Sequence, residues 1–247
     1  MSDNTSTTGS CDAYNPRDYP AVAVTVDIVV FTIVNAELKV LLIQRGEPPF
    51  LGRWALPGGF IHPNEDLDTA ARRELAEETG IHQAPGHLEQ FGSYGSPERD
   101  PRMRVVTIGY WAIVPDLASP AAGTDAIHAE LVAVSEIEGG RVRLAFDHET
   151  ILADALDTAR SRLESTTLAA AFCGPEFTIS DLRRVYEAVW NTKLDAGNFQ
   201  RKVTRSNGFI KPVNQRTSSG DRGGRPASLW TSGDAERLTP PLNMPNE

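Results

Sequence analysis

Residues 59–81 read GFIHPNEDLDTAARRELAEETGI, and this stretch decides how the chain is interpreted. On a helix, Glu74 and Glu78 fall on one face together with three apolar side chains. Those side chains are Leu67, Ala70 and Ala71. Ionised carboxylates within an apolar stripe are unfavourable unless a cation compensates them, and hard oxygen ligands suit magnesium or manganese. The pattern therefore predicts a metal-binding helix, with an ordinary acidic surface helix as the alternative.

The two ends of this helix carry their own signals. Asn64, which follows Pro63, is predicted to be the N-cap, and Glu65 and Asp66 complement the positive end of the helix dipole. Gly80 fits the left-handed conformation that ends a helix. We therefore expect a helix of about four turns.

Nine positions of the stretch match the Nudix box: Gly59, Glu65, Arg73, Glu74, Leu75, Glu77, Glu78, Gly80 and Ile81. The chain thus resembles enzymes and sensors that hold a nucleoside diphosphate linked to another moiety over magnesium. The resemblance implies that Glu74, Glu77 and Glu78 ligate Mg²⁺ or Mn²⁺. It implies that Arg73, which is also spaced to pair with Glu77, orients a glutamate. Water would attack phosphorus in the pyrophosphate, because metal ions neutralise the phosphates and activate the water.

A further acid from a loop often serves as the general base in relatives. Glu98 and Glu130 are the candidates in this chain, and a plain surface glutamate is the alternative for each. The predicted catalytic residues are Glu74, Glu77, Glu78, Arg73 and Glu98.

Segments on either side of the box are predicted to contact a ligand. The paired glycines before the helix permit close approach of the backbone to a ligand or metal. The loop at 95–102, GSPERDPR, resembles the RDPR loop of ADP-ribose-binding Nudix proteins, and a charged surface turn is the alternative. Ligand contacts are therefore predicted for Gly58, Gly59, Arg99, Arg102 and Arg104. His148 could also touch a ligand, although capping or core packing is the more usual role of such a histidine.

Runs of β-branched and apolar residues predict a mixed sheet around this site. The expected strands are 23–34 and 39–43, which form a hairpin, then 104–114 and 131–134. A helix that opens near His148 carries one apolar stripe, formed by Leu152, Leu156, Ala159 and Leu163.

Two further short helices are predicted in the last third of the chain. Thr178 and Asp181 have the spacing of a capping box, and Asp195 caps the second helix. Phe199 and Val203 of the second helix face inward, so its polar and basic side chains face outward. This arrangement is typical of a helix-turn-helix.

Two strands, at 209–213 and 225–230, then surround a flexible basic tip at 218–224, which completes the pattern of a winged helix. Between Asn191 and Trp230, eight basic residues against two acidic ones give a local charge of +6. Since the whole chain has a net charge of -9, the remaining residues together carry -15. DNA contacts are predicted for Asn198, Arg201, Lys202, Arg205, Arg216, Arg222 and Arg225. A solvated basic face without a partner is the alternative.

The combination of both patterns, over about residues 22–232, resembles the Nudix-related transcriptional regulators of NAD metabolism, the NrtR family. The resemblance implies an α/β fold, a Nudix αβα sandwich with a C-terminal winged helix-turn-helix domain. It implies a homodimeric regulator, expected to be a repressor, that binds double-stranded operator DNA of NAD-synthesis or salvage genes. ADP-ribose or a related NAD metabolite would control binding. Because the box is complete, an active Mg-dependent ADP-ribose pyrophosphatase yielding AMP and ribose 5-phosphate is the alternative.

The expected division of the chain is a disordered tail at 1–20, the Nudix domain at 21–165, the DNA-binding domain at 170–233 and a disordered tail at 234–247. The composition, 40% hydrophobic and 23% charged, is that of a globular protein. We find no signal peptide or membrane-spanning run, so a cytoplasmic location is expected. Cys11 and Cys173 show no metal-binding spacing and indicate no disulfide framework.

Overall fold

The computed structural model describes residues 15–81, 86–115, 117, 126–216 and 226–245. Three sets of predictions lie outside this part: the N-terminal tail up to residue 14, the wing tip with Arg222 and Arg225, and the side chain of Arg216.

A seven-stranded mixed sheet forms the first domain. Its strands are β1 (Ala23–Val34), β2 (Glu37–Arg45), β3 (Trp54–Ala55), β4 (Gly58–Phe60), β5 (His87–Tyr94), β6 (Val105–Ile113) and β7 (Ala126–Ala133). The main path runs β3-β2-β1-β6-β5, with β4 paired to β1 and β7 paired to β2. Strands β1 and β6 are parallel, and the other pairs are antiparallel. The predicted hairpin is confirmed, whereas the strand predicted at 131–134 begins earlier and ends at Ala133.

Each face of the sheet is covered by a helix. The helices of this domain are α1 (Leu67–Thr79), α2 (Val134–Glu138) and α3 (His148–Ser165). Successive β1 residues point to opposite faces, so Ile28 packs in the cluster beneath α1 and Val29 in the cluster beneath α3. Burial on both faces explains why this strand is apolar with little interruption, and it produces the predicted αβα sandwich.

The predicted N-cap of α1 is wrong by two residues. Asp66, rather than Asn64, precedes the helix, and its carboxylate accepts a hydrogen bond from the Thr69 amide at 2.7 Å. Glu65 lies just before the helix, and both of its carboxylate oxygens bind the Arg73 guanidinium. The N-cap is thus the residue whose carboxylate reaches a free amide of the first turn.

The second domain has the predicted winged-helix elements. They are α4 (Ile179–Trp190), α5 (Ala196–Arg205), β8 (Ile210–Arg216) and β9 (Ser228–Ser232). The capping box of Thr178 and Asp181 is confirmed, and so is the N-cap at Asp195. Phe177 and Trp230 exchange two backbone hydrogen bonds, of 2.9 and 2.8 Å, an isolated bridge that ties the chain before α4 to β9. Within the described residues, no helix is long and apolar enough to span a membrane.

The two domains share one continuous core. A single buried cluster contains Phe31 of the sheet, Leu163 of α3 and Val203 of α5. The Tyr186 hydroxyl donates to the Leu163 carbonyl at 3.1 Å, which fixes α4 to the end of α3. The winged-helix domain is therefore packed directly on the sheet domain.

The prediction of a disordered tail from residue 234 is wrong for its described part. Leu238 and Leu242 are buried. Their amides donate to the carbonyls of Ser165 and Glu164, each at 2.9 Å. Two leucines four residues apart thus hold the segment against the end of α3.

Candidate ligand-binding cleft and DNA-binding face

A cleft of about 400 Å³ lies where β4 and α1 meet the loop before β6 and the start of α3. Its size is in the range of small-molecule sites. One group of lining residues, which we call the acidic wall, consists of Arg73, Glu74, Glu77 and Glu78. A second group, the basic wall, consists of Arg45, Phe60, Arg102 and Phe146. A ligand in this cleft would meet both carboxylates and guanidinium groups.

Arg73 organises the acidic wall. Its Nε and Nη2 donate to the two oxygens of Glu65 at 3.0 and 2.6 Å, a bidentate pair. Its Nη1 donates to Glu74 at 2.8 Å and to Glu77 at 2.9 Å, which confirms the predicted pairing with Glu77. The hydrogen bonds from Arg73 lower the pKa of Glu65 to about 2, and the Glu65 carboxylate in turn raises the pKa of Arg73.

Glu74 and Glu78 are buried at 8% exposure each, as their position on the apolar face of α1 predicts. Burial raises the pKa of Glu74, and the hydrogen bond from Arg73 opposes that rise. The Gly58 amide donates to Glu78 Oε2 at 2.7 Å. A Cβ at Gly59 would lie 2.4 Å from Glu74 Oε1. The absence of side chains at these two glycines therefore lets the backbone of β4 lie directly against the carboxylates of Glu74 and Glu78.

The acidic wall has the donor chemistry of a magnesium site, because three carboxylates face one cleft. Among the described residues, however, no three His, Cys, Asp or Glu side chains converge closely enough to hold a metal as they stand. Arg73 engages Glu74 and Glu77. The donors fit a divalent cation, but the first two would have to turn from Arg73 to bind it.

The basic wall combines guanidinium groups with aromatic rings. The Arg45 guanidinium lies 4.8 Å from the Phe146 ring centre, and that of Arg102 lies 5.6 Å from the Phe60 ring centre. Asp100 holds Arg102 through two side-chain hydrogen bonds of 3.0 and 2.7 Å. Burial, aided by the nearby Arg102, lowers the pKa of Arg45. Such a wall can stack on a planar base and attract phosphate.

Arg99, predicted to contact the ligand, is the centre of a buried ion-pair network at the cleft floor. Its side chain is 4% exposed, and Nη2 lies 3.1 Å from Asp27 and 2.7 Å from Asp147. A second bond, from Nε to Asp147, measures 3.0 Å. His148 Nδ1 accepts from the Leu56 amide at 2.9 Å, and burial lowers the pKa of this histidine. The His148 ring is thus held neutral in the floor of the cleft.

Sequence reasoning missed Asp27, Arg45 and Phe146. A usable signal existed for Asp27, because a single carboxylate inside the apolar strand VTVDIVVF requires a buried partner. Phe146 adopts a left-handed backbone conformation, with φ of 53°. No local sequence signal predicts that conformation for a phenylalanine.

Three other predicted residues lie outside the cleft lining. Arg104 Nη1 donates to the carbonyl of Ser96 at 3.2 Å. Glu98 is exposed in the loop before β6, and Glu130 is exposed on β7, 3.7 Å from His128. Neither candidate for the general base is therefore brought to the acidic wall.

Helix α5 presents a polar face to solvent. Phe199 and Val203 are buried on its inner side, as predicted. The exposed residues include Asn198, Arg201, Lys202 and Arg205. The structure thus brings these four of the predicted DNA contacts together on one surface.

Comparison with known proteins agrees with both halves of this description. The NUDIX domain matches residues 24–155, and the NrtR DNA-binding winged helix domain matches residues 169–231. The ADPR responsive transcriptional repressor NtrR of Acinetobacter baylyi is 34% identical over 219 residues, which cover 88% of this chain and 84% of that protein. The ADP-ribose pyrophosphatase of Methanocaldococcus jannaschii is 40% identical over 136 residues, 55% of this chain and 73% of that enzyme.

The fold is also that of a solved regulator. The crystal structure of Shewanella oneidensis NrtR complexed with a 27mer DNA matches with a TM-score of 0.75 and 28% identity, covering 89% of this chain and 99% of that one. The likeness extends over the sheet, the cleft and the winged helix alike. The chain therefore belongs to the Nudix family, in the branch that carries an NrtR-type winged-helix domain.

Proposed function

We propose that this protein is a transcriptional repressor of NAD biosynthesis or salvage genes that leaves its operator when ADP-ribose, or a related NAD metabolite, binds the cleft. One observation carries the proposal: a cleft with an acidic and a basic wall shares a continuous core with a helix that exposes polar and basic side chains. The similar Acinetobacter protein is named an ADPR responsive repressor, and the similar Shewanella protein was crystallised with DNA.

In this proposal both walls of the cleft contact ADP-ribose. The guanidinium groups and rings of Arg45, Arg102 and Phe146 bind the adenine and the phosphates. A divalent cation, Mg²⁺ or Mn²⁺, held by Glu74, Glu77 and Glu78, would neutralise the pyrophosphate. Thr25 also lines the cleft, and its buried hydroxyl has no hydrogen-bond partner in the described structure.

The DNA side of the proposal uses α5 and the wing. Asn198 and Arg201 read bases in the major groove, because side chains near the start of a recognition helix reach base edges. About three phosphate contacts per protomer come from among Lys202, Arg205, Arg216, Arg222 and Arg225. A homodimer in the cytoplasm would place two such helices on two half-sites about one helical turn of DNA apart. Sedimentation of the protein on a duplex tests this stoichiometry, and one protomer per duplex contradicts it.

The direct test is a DNA titration with and without the effector. A duplex is first selected from a random-sequence pool for tight binding to the full chain. Saturating ADP-ribose is expected to weaken binding of that duplex by a factor of 5 to 150, the usual range of allosteric coupling. If no sequence-specific duplex is recovered at low salt, or if ADP-ribose leaves the affinity unchanged, the proposal fails.

A second function is favoured by the acidic wall. The complete box, with Glu74 and Glu78 buried beside Arg73, is the arrangement expected of a pyrophosphatase, and the similar Methanocaldococcus protein is named one. We propose as the alternative that the chain hydrolyses ADP-ribose to AMP and ribose 5-phosphate with Mg²⁺, Glu98 moving in as general base. Release of AMP at ordinary enzymatic rates without DNA binding would favour this role. The two activities can coexist.

A further inference from the structure

Helix α3 connects the cleft to the DNA-binding domain. Its first residue, His148, lines the cleft. In its last turn, the Leu163 carbonyl accepts from the Tyr186 hydroxyl of α4 at 3.1 Å, and the carbonyls of Glu164 and Ser165 hold the C-terminal segment. The helix has 18 residues, so it spans about 27 Å. A displacement of its start would reach the winged helix without passing through a loop.

The start of α3 is held in an unusual way. Asp147 occupies the N-cap position, yet its side chain makes no capping hydrogen bond. Its two carboxylate oxygens bind Arg99 instead, at 2.7 and 3.0 Å. The preceding residue, Phe146, has a left-handed φ of 53°, which is rare for a phenylalanine and marks a backbone held by its surroundings. At the N-cap position the side chain therefore binds Arg99 in the cleft, while Glu149 in the first turn accepts from the Leu144 amide at 3.1 Å.

Arg99 links this helix start to the basic wall. It lies in the same loop as Asp100, which orients Arg102 in the cleft. Asp27 fixes the other side of Arg99 to β1 at 3.1 Å. Because Arg99 is nearly fully buried, its ion pairs cannot exchange for water at low cost. A ligand that draws Arg102 and its loop toward the phosphates would therefore pull on Asp147 and on the first turn of α3.

We propose that the ion pair of Arg99 and Asp147 is the element that transmits effector binding in the cleft to the DNA-binding helix. This inference rests on the proposed function, since it assigns the residues through which ADP-ribose would weaken DNA binding. Asp147 acts as a positioning residue: it does not line the cleft, and it acts through Arg99 and through α3.

The test compares Asp147→Asn with Asp157→Asn in the full chain. Asp157 lies on the same helix, its side chain is 79% exposed, and the substitution removes the same charge. Three dissociation constants are measured for each protein: ADP-ribose alone, the selected duplex alone, and the duplex with saturating ADP-ribose. The ratio of the last two is the coupling factor. We expect wild type and Asp157→Asn to share one coupling factor and Asp147→Asn to lose it, to less than about twofold, while each ligand alone still binds.

Three outcomes separate the possibilities. An Asp147→Asn protein that retains the wild-type coupling factor overturns the inference, whatever its affinity for ADP-ribose. A wild-type coupling factor of one means that the proposed function has failed, and the inference fails with it. If Asp147→Asn does not fold, as judged by its thermal unfolding, Arg99→Lys decides. That variant keeps the positive charge but loses the bidentate pairing with Asp147, so it should lower the coupling factor at least several-fold. A wild-type coupling factor in Arg99→Lys overturns the inference.

Discussion

Helices α1 and α5 both concentrate charge, but they place it oppositely. In α1, Glu74 and Glu78 lie on the buried face, whereas in α5 Arg201 and Lys202 lie on the exposed face. Buried carboxylates require compensation, which the Arg73 guanidinium supplies for Glu74 and the Gly58 amide supplies in part for Glu78. Exposed cations require nothing from the fold, and they remain available to a polyanion. The difference indicates that α1 serves a small ligand inside the protein and α5 serves a surface partner.

The largest effect is expected from removing one buried charge of α1. Glu78→Gln keeps the volume of the side chain but removes the charge that a metal needs. Any Mg-dependent hydrolysis of ADP-ribose should fall by about 100-fold or more, and the rise in melting temperature caused by Mg²⁺ should disappear. Glu136→Gln, an exposed glutamate on α2, is the matched control. Activity within tenfold of wild type, with the Mg²⁺ shift intact, would exclude Glu78 as a ligand.

Replacing Arg73, whose guanidinium binds the carboxylates of Glu65 and Glu74, should destabilise the fold. Arg73→Met leaves the buried Glu74 without its main partner, so the free energy of unfolding should fall by about 2 kcal/mol. Glu65 loses its bidentate partner as well, and the half-exposed Glu77 adds little. Arg72→Met is the control, since Arg72 is the exposed neighbour on the same helix. Equal urea midpoints for the two variants would contradict the role of Arg73.

Removing a positive charge from the exposed face of α5 should weaken DNA binding without destabilising the fold. If each protomer of a dimer neutralises about three phosphates, log K should fall with log salt at a slope near -5. Lys202→Ala removes two contacts per dimer, so the slope should flatten to about -3.6 and all sequences should bind more weakly. Arg201→Ala should instead relax sequence preference. An unchanged slope for Lys202→Ala would remove this lysine from the phosphate contacts.

The smallest expected effect is the change that Glu65→Gln makes to the stability of the protein at acidic pH. The pKa of Glu65 is lowered to about 2 in the folded protein, below the value of about 4.3 for a free glutamate. The unfolded chain therefore binds the proton first, so this group's contribution is fully present above about pH 5 and is lost as the pH falls toward 2. Glu65→Gln should flatten the fall in stability between pH 5 and 2. The free energy of unfolding is measured by chemical denaturation at each pH. If wild type and Glu65→Gln lose the same free energy between about pH 5 and 2, the pairing of Glu65 with Arg73 is contradicted.

The elements that the sequence predicted well are those with local causes. The apolar spacing of α1 and the left-handed Gly80, with φ of 70°, come from neighbouring residues alone. The same holds for the capping box of Thr178 and Asp181, because both partners lie within one turn. The burial of Glu74 was also predictable, since its helical position placed it among apolar side chains.

The features that escaped prediction depend on contacts between distant segments. Arg99 enters a buried network because Asp27 lies on a strand 72 residues earlier in the chain. The packed C-terminal segment depends likewise on the end of α3, since Leu238 bonds to Ser165 only in the folded protein. None of these pairs is readable from spacing within one element.

In the proposed repressor, the cleft beside α1 and the surface of α5 act as one coupled unit. This coupling is measured by the affinity for ADP-ribose in the presence and absence of the selected duplex, set beside the affinity for that duplex with and without ADP-ribose. Linkage requires that both ratios be the same. We expect each ligand to weaken the binding of the other by one common factor between about 5 and 150. If the affinity for ADP-ribose does not change when the duplex is bound, the cleft and α5 are not coupled.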